Sequence, residues 1–156
     1  MALIPQMTNA NIRVISAISG QYFFCHYFYI CAMIFGIGTD IIEVERIRGF
    51  ISKGKAFKQR VFTEQEITYS DSFRDPAPFY AARFSAKEAF VKALGTGFTG
   101  GIGFNQIEVY HVELGKPEIR LTGKAKEVAE QKGITKIYVS ISHVKDWANA
   151  VVVLET

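Results

Sequence analysis

The sequence predicts a single mixed domain of helices and strands arranged around one long helix. Three observations lead there. The chain has 156 residues, 49% hydrophobic content and 13 Phe, enough for one sizeable core. Segments of helical and strand periodicity follow one another along it, separated by glycine and proline. The stretch Ala81 to Gly97, AARFSAKEAFVKALGTG, sets Arg83, Lys87, Glu88 and Lys92 among small and aromatic residues. At about 100° per residue, Ala82, Ala86, Ala89 and Ala93 share a narrow stripe on which another element can approach closely, while Phe84 and Val91 form a second apolar arc. The charges therefore lie between two apolar faces, where perturbed, working side chains are found.

The elements follow in order. MIFGIGTD, from Met33, alternates Gly36 and Gly38 within an apolar run and reads as a strand and turn. Asp40 with Glu43 resembles a helix cap, and Val44, Ile47 and Ile51 repeat at helical spacing, so Asp40 marks a strand-to-helix junction. Thr63 and Glu66 make a capping box for a short helix reaching about Tyr69. Asp75 before Pro76 starts the long helix, and Gly95 after Leu94 stops it. Five glycines between Gly95 and Gly103 form a turning loop with amides free to meet an anion, although the GK[ST] ending of a phosphate-binding P-loop is missing. Ile107, Val109, Ile119 and Leu121 flank Leu114 to Pro117 as a hairpin. A helix from about Gly123 to Lys132 ends at Gly133. Ile137, Val139 and Ile141 then alternate with polar residues in a strand that delivers His143, and Trp147 to Leu154 returns as the last strand.

The first 39 residues contain no acid and only one basic residue, Arg13. Tyr22 to Ile37 is apolar and aromatic but short for a membrane span, so no stable membrane insertion is expected. Residues 1–32 are read as an N-terminal extension, non-native or weakly ordered, with Met33 a candidate natural start and residues 33–156 as the working domain. Both cysteines, Cys25 and Cys31, fall in that extension. The remainder relies on no disulfide, which suits a reducing, cytoplasmic setting. The net charge of +3 is too mild to argue for nucleic acid. Its distribution is more telling: Arg46, Arg48, Lys53, Lys55, Lys58 and Arg60 follow one another with no acid after Glu45, a solvated face or a docking surface for an acidic partner.

Asp40, Glu88 and His143 are the residues that could carry chemistry. Two carboxylates with few competing thiol or imidazole ligands suit a hard cation such as Mg²⁺, which takes one or two carboxylates together with phosphate oxygens and water. Zinc is disfavoured, since only His111 and His143 follow Met33. Arg83, Lys87 and Lys92 would answer a phosphorylated substrate. Each residue also has a plain structural reading: Glu88 and Lys92 stand at i and i+4, the spacing of a surface salt bridge, and His143 could simply bond backbone.

GIGTDIIEVERI (Gly36–Ile47), ARFSAKEAFVKALGTG (Ala82–Gly97), GKPEIRL (Gly115–Leu121) and SISHVKDWANAVVVLE (Ser140–Glu155) together resemble the holo-acyl-carrier-protein synthases, the bacterial-type 4′-phosphopantetheinyl transferase family. The resemblance runs from Met33 to the C-terminus. It implies an α+β fold, a long central helix packed on a small antiparallel β-sheet. It also implies transfer of 4′-phosphopantetheine from coenzyme A to a serine of apo-acyl carrier protein, in support of fatty acid biosynthesis. On the same ground Asp40 and Glu88 are the Mg²⁺ ligands, and Lys92 contacts the phosphates. His143, Arg83 and the Gly95 to Gly97 turn hold the nucleotide end. Arg46, Arg48 and Lys53 dock the acidic carrier, and the chain assembles as a homotrimer. Glu88, or a water it orients, receives the serine proton. Ser85 replaces a usual Ala, and Val144 follows His143 where Thr is common, removing a hydroxyl that could bond phosphate. Two other readings stay open: a non-catalytic module binding an anionic partner through the basic stretch, and a Mg²⁺-dependent phosphoanhydride hydrolase.

Overall fold

The computed structural model describes residues 33–112 and 115–156. The N-terminal extension with Cys25 and Cys31, and Glu113 and Leu114 of the expected hairpin turn, lie outside them. In chain order the elements are β1 (Ile34–Glu43), α1 (Val44–Ile51), α2 (Lys55–Val61), α3 (Glu64–Asp71), α4 (Ala77–Leu94), a 3₁₀ turn (Phe104–Gln106), β2 (Ile107–His111), β3 (Pro117–Leu121), α5 (Gly123–Gln131), β4 (Lys136–His143) and β5 (Trp147–Glu155). The strands form two antiparallel sheets, one ordered β1-β5-β4 and one pairing β2 with β3. The long helix lies against the first sheet, contributing Ala86, Ala89, Phe90, Ala93 and Leu94 to a core shared with Ala150, Val152 and Leu154 of β5. Its first half, through Ala77, Tyr80, Ala81 and Ala82, enters a second core with Val44 and Ile47 of α1, Val61 and Phe62. Because both halves are enclosed, α4 shows no single wet face, the pattern of a helix buried nearly all round.

Most local signals act as their chemistry dictates. Thr63 and Glu66 form the capping box at the start of α3, with Thr63 Oγ1 accepting from Glu66 N and Glu66 Oε2 from Thr63 N. The carboxylate of Asp75 accepts from Ala77 N at 3.3 Å, and Gly95 closes α4 in a left-handed conformation, φ 73°.

Asp40 is the exception. It is not a helix cap: β1 continues through it to Glu43, with Asp40 opposite Ala150 and Glu43 opposite Trp147. Helix α1 begins only at Val44, with no side chain capping it. The antiparallel ladder with β5 satisfies the backbone along this stretch, so the local capping signal has nothing left to do and the Asp40 side chain is released for other work.

Candidate active site

The glycines of β1 decide how the site is built. Residues two apart on a strand share a face, so Gly36, Gly38, Asp40 and Ile42 point the same way. That face lies on α4. A Cβ at Gly38 would collide with Ala89 O and Ala93 N, and one at Gly36 with Ala93 O. The strand thus rests directly on the helix backbone, using the alanine stripe as its seat. One step farther along, the same register brings Asp40 over the turn of α4 that carries Glu88 and Lys92.

Lys92 Nζ donates to Asp40 Oδ1 at 2.7 Å and to Thr39 O at 3.2 Å. The Asp40 side chain is 14% exposed and that of Lys92 50%. Asn149 of β5 donates to Asp40 O at 2.8 Å, fixing the strand at this point. The intrahelical Glu88–Lys92 ion pair suggested by their spacing does not form; the lysine reaches across to Asp40 instead. Glu88 is half-buried, and its carboxyl is pushed above the usual carboxylate range, first by burial and then by the charge of Asp40, with Lys92 and Arg46 opposing. Asp40 and Glu88 lie close enough for the charge of one to act on the other, and Lys92 is held by Asp40; paired carboxylate oxygens suit a hard cation and the ammonium suits a phosphate. No group of three or more His, Cys, Asp or Glu side chains placed to hold a metal occurs among the described residues. The other ligands would then come from phosphate and water.

Arg83 and His143 do not join this cluster. Arg83 is five residues before Glu88, about 7.5 Å along the axis and about 140° around it. His143 lies two strands from Asp40, about 10 Å across the sheet and about 7 Å along it. They gather with aromatic residues instead. Buried Arg83 donates to Phe79 O at 3.2 Å, stacks 4.1 Å over the Tyr69 ring and places Nη2 at 3.3 Å from His111 Nδ1. His143 meets the Phe79 ring edge-on at 5.1 Å. Among the described residues no carboxylate forms a salt bridge with Arg83 and its Nε has no partner; burial lowers its pKa, with the charge of Glu66 opposing. A buried guanidinium whose described hydrogen bonds go to a carbonyl and an imidazole retains capacity for an anion.

Three sequence expectations change in detail. Lys87 does not face a substrate. It is fully buried and donates to Glu66 Oε2 at 2.6 Å, Val61 O at 2.8 Å and Phe104 O at 3.1 Å, while Glu66 Oε1 accepts from Val109 N. The amides around Gly95 and Gly97 are spent closing α4 onto Lys92 O and Val91 O, so the turn offers shape more than free donors. Arg48 is tied to Asp75 by two bonds of 2.6 and 2.9 Å and to Glu45 at 3.0 Å, leaving Arg46 and Lys53, both placed over the Phe50 ring, as the freer cations of α1 and its end. Tyr69, His111 and Glu66 carried no sequence signal of their roles, because their partners are 14 to 43 residues away.

Comparison with known proteins decides the family. The profile of the 4′-phosphopantetheinyl transferase superfamily matches residues 36–152. The chain belongs to that superfamily. A curated relative of these transferases, the holo-[acyl-carrier-protein] synthase of Geotalea daltonii, is 45% identical over 124 residues, covering 79% of this chain and 99% of the relative. Among solved structures, the holo-[acyl-carrier-protein] synthase of Neisseria meningitidis shares 41% identity with a TM-score of 0.73, covering 80% of this chain and all of that one. The Bacillus anthracis synthase, solved in complex with CoA (3′,5′-ADP), shares 38% identity with a TM-score of 0.67, covering 80% and 98%. The α+β transferase fold and the match from β1 into β5 agree with the sequence expectation.

Proposed function

We propose that this chain is a holo-[acyl-carrier-protein] synthase. It moves the 4′-phosphopantetheine group of coenzyme A onto a serine hydroxyl of apo-acyl carrier protein and releases adenosine 3′,5′-bisphosphate. The observation that carries the reading within the family is the convergence of Asp40, Glu88 and Lys92 at the β1–α4 contact. The residues fit a magnesium ion: two neighbouring carboxylates supply hard oxygen, and the ammonium held on Asp40 supports a site that favours positive charge. Mg²⁺ bound there would supply charge neutralisation for the diphosphate. Lys92 holds phosphate oxygens as charge builds on them, and Arg83 with His143 receives the nucleotide end. Glu88, half-buried and biased toward protonation, or a water it orients, takes the serine proton.

Arg46 and Lys53 form the docking face for the acidic carrier. Arg46 is exposed yet close enough to act on the Glu88 carboxyl, so a carrier held there brings its serine toward the site. Assembly as a homotrimer is supported by the outer face of the first sheet, where Phe35, Ile37, Ile41, Tyr138 and Val151 are exposed side by side on three strands. On this reading the chain works in the cytoplasm in support of fatty acid biosynthesis; among the described residues no helix is long and apolar enough to cross a membrane. Incubation with coenzyme A, Mg²⁺ and apo-acyl carrier protein tests the reading. A phosphopantetheine adduct on the carrier is expected; consumption of coenzyme A with an unmodified carrier would identify a hydrolase instead.

A further inference from the structure

The contact between Lys92 and Asp40 has a consequence for the order in which the site fills. Lys92 stands one turn beyond Glu88, and its stem could lie along α4 to pair with that neighbour. Instead its ammonium crosses to β1 and takes both Asp40 Oδ1 at 2.7 Å and Thr39 O at 3.2 Å. Glu88 makes no salt bridge or hydrogen bond among the described residues. The side chain that lends its charge to the two carboxylates is also the most exposed of the three, half open on a flexible four-carbon stem, while Asp40 is nearly enclosed. An ammonium in contact with Asp40 and a divalent cation on the same carboxylate would repel each other at close range in a partly desolvated place.

We propose that Lys92 is a place-holder for the divalent cation. It holds Asp40 and leaves when a diphosphate offers it a stronger partner, so cation and diphosphate bind cooperatively. This rests on the assignment of Asp40 and Glu88 as the cation's carboxylates. A diphosphate presents several anionic oxygens to an ammonium where Asp40 presents one carboxylate, and the stem of Lys92 lets it swing without disturbing the helix that carries it. The strand bearing Asp40 is fixed by Asn149 and by the Gly38 contact, so the lysine is the part that moves. Linkage makes the effect reciprocal: whatever factor the diphosphate adds to cation affinity, the cation adds to diphosphate affinity. The device keeps the two carboxylates compensated between turnovers and disfavours a cation bound without substrate.

Mn²⁺ binding to the full-length chain without coenzyme A, followed by the electron paramagnetic resonance of the free ion, tests this. Lys92→Met should bind Mn²⁺ about tenfold more tightly than the unaltered chain, a typical coupling factor. Arg46→Gln removes an equal charge that also acts on Glu88 but touches neither carboxylate in the structure, and should change the affinity by less than about threefold. The gain from Lys92→Met should vanish when Asp40→Asn is added. Circular dichroism of each variant establishes that it is folded. Unchanged or weaker Mn²⁺ binding in Lys92→Met, or an equal gain in Arg46→Gln, overturns the place-holder while leaving the carboxylate assignment standing. Mn²⁺ binding indifferent to Asp40→Asn and to Glu88→Gln in the otherwise unaltered chain overturns both.

Discussion

Lys87 and Glu88 are neighbours in sequence with opposite fates, and the difference comes from which side of α4 each occupies. Lys87 is sealed in a box of acceptors from α2, α3 and the 3₁₀ turn, whereas Glu88 looks toward β1. Removing one member of a buried, hydrogen-bonded ion pair strands the other. Lys87→Met is therefore expected to cost about 3–5 kcal/mol in chemical denaturation, and Lys87→Met with Glu66→Gln less than the sum of the two single changes. The sequence showed that charged residues lay between apolar faces of one helix; it could not show which were structural, because Glu66 is 21 residues from Lys87 and already had a local explanation as a cap. His111 offers a second residue-level check. For Arg83 Nη2 to donate to Nδ1, the ring must be neutral with its proton on Nε2. Burial and then the Arg83 charge lower its pKa. The unfolded chain thus binds more protons, so the ring's contribution to stability is present above about pH 6.5 and is lost as pH falls through the folded value. NMR titration of the ring should give a value below that of a free histidine, rising toward it in Arg83→Met; an unshifted ring would remove Arg83 from its surroundings.

At the scale of elements, the β1–α4 contact does the positioning. Gly38→Ala forces a methyl into the backbone of Ala89 and Ala93, which cannot retreat without displacing the helix. A loss of at least about 1–3 kcal/mol is expected, with transfer activity falling further than stability alone explains because Asp40 and Glu88 are pushed apart. Gly49→Ala on α1 is the control. Nothing lies within 4 Å of the added Cβ there, and thermal unfolding should show a gain of about 0.5–1 kcal/mol. Helix α4 was legible because its boundaries are local, with Asp75 and Pro76 before it and Gly95 after it, and its alanine stripe correctly announced a close neighbour. The place of Asp40 within β1 was hidden by a capping pattern that the pairing of β1 with a strand about 110 residues later overrides. Local chemistry defines helix ends well; strand partners come from elsewhere in the chain and leave no signature within the strand itself.

At the scale of the whole molecule, the carboxylate cluster and the Arg83–His143 cluster lie apart on one chain, and the first sheet leaves an apolar outer face uncovered. Both features fit the proposed trimer. Ile37, 62% exposed at the centre of β1, is the position to test: Ile37→Glu should reduce the sedimenting species to a monomer and depress transfer together. A monomeric parent protein, or a variant that stays assembled, would sink that assignment. The proposed transfer requires Asp40 and Glu88 to act together on a cation. The most direct measurement is the rate of phosphopantetheine addition to apo-acyl carrier protein, by carrier mass, across a Mg²⁺ titration in the parent chain, Asp40→Asn and Glu88→Gln. Saturable Mg²⁺ dependence in the parent is expected. Each variant should lose at least about 100-fold in rate at limiting Mg²⁺, about 2.7 kcal/mol of transition-state stabilisation. Near-parental transfer by either variant at limiting Mg²⁺ would remove that carboxylate from the proposed cation site.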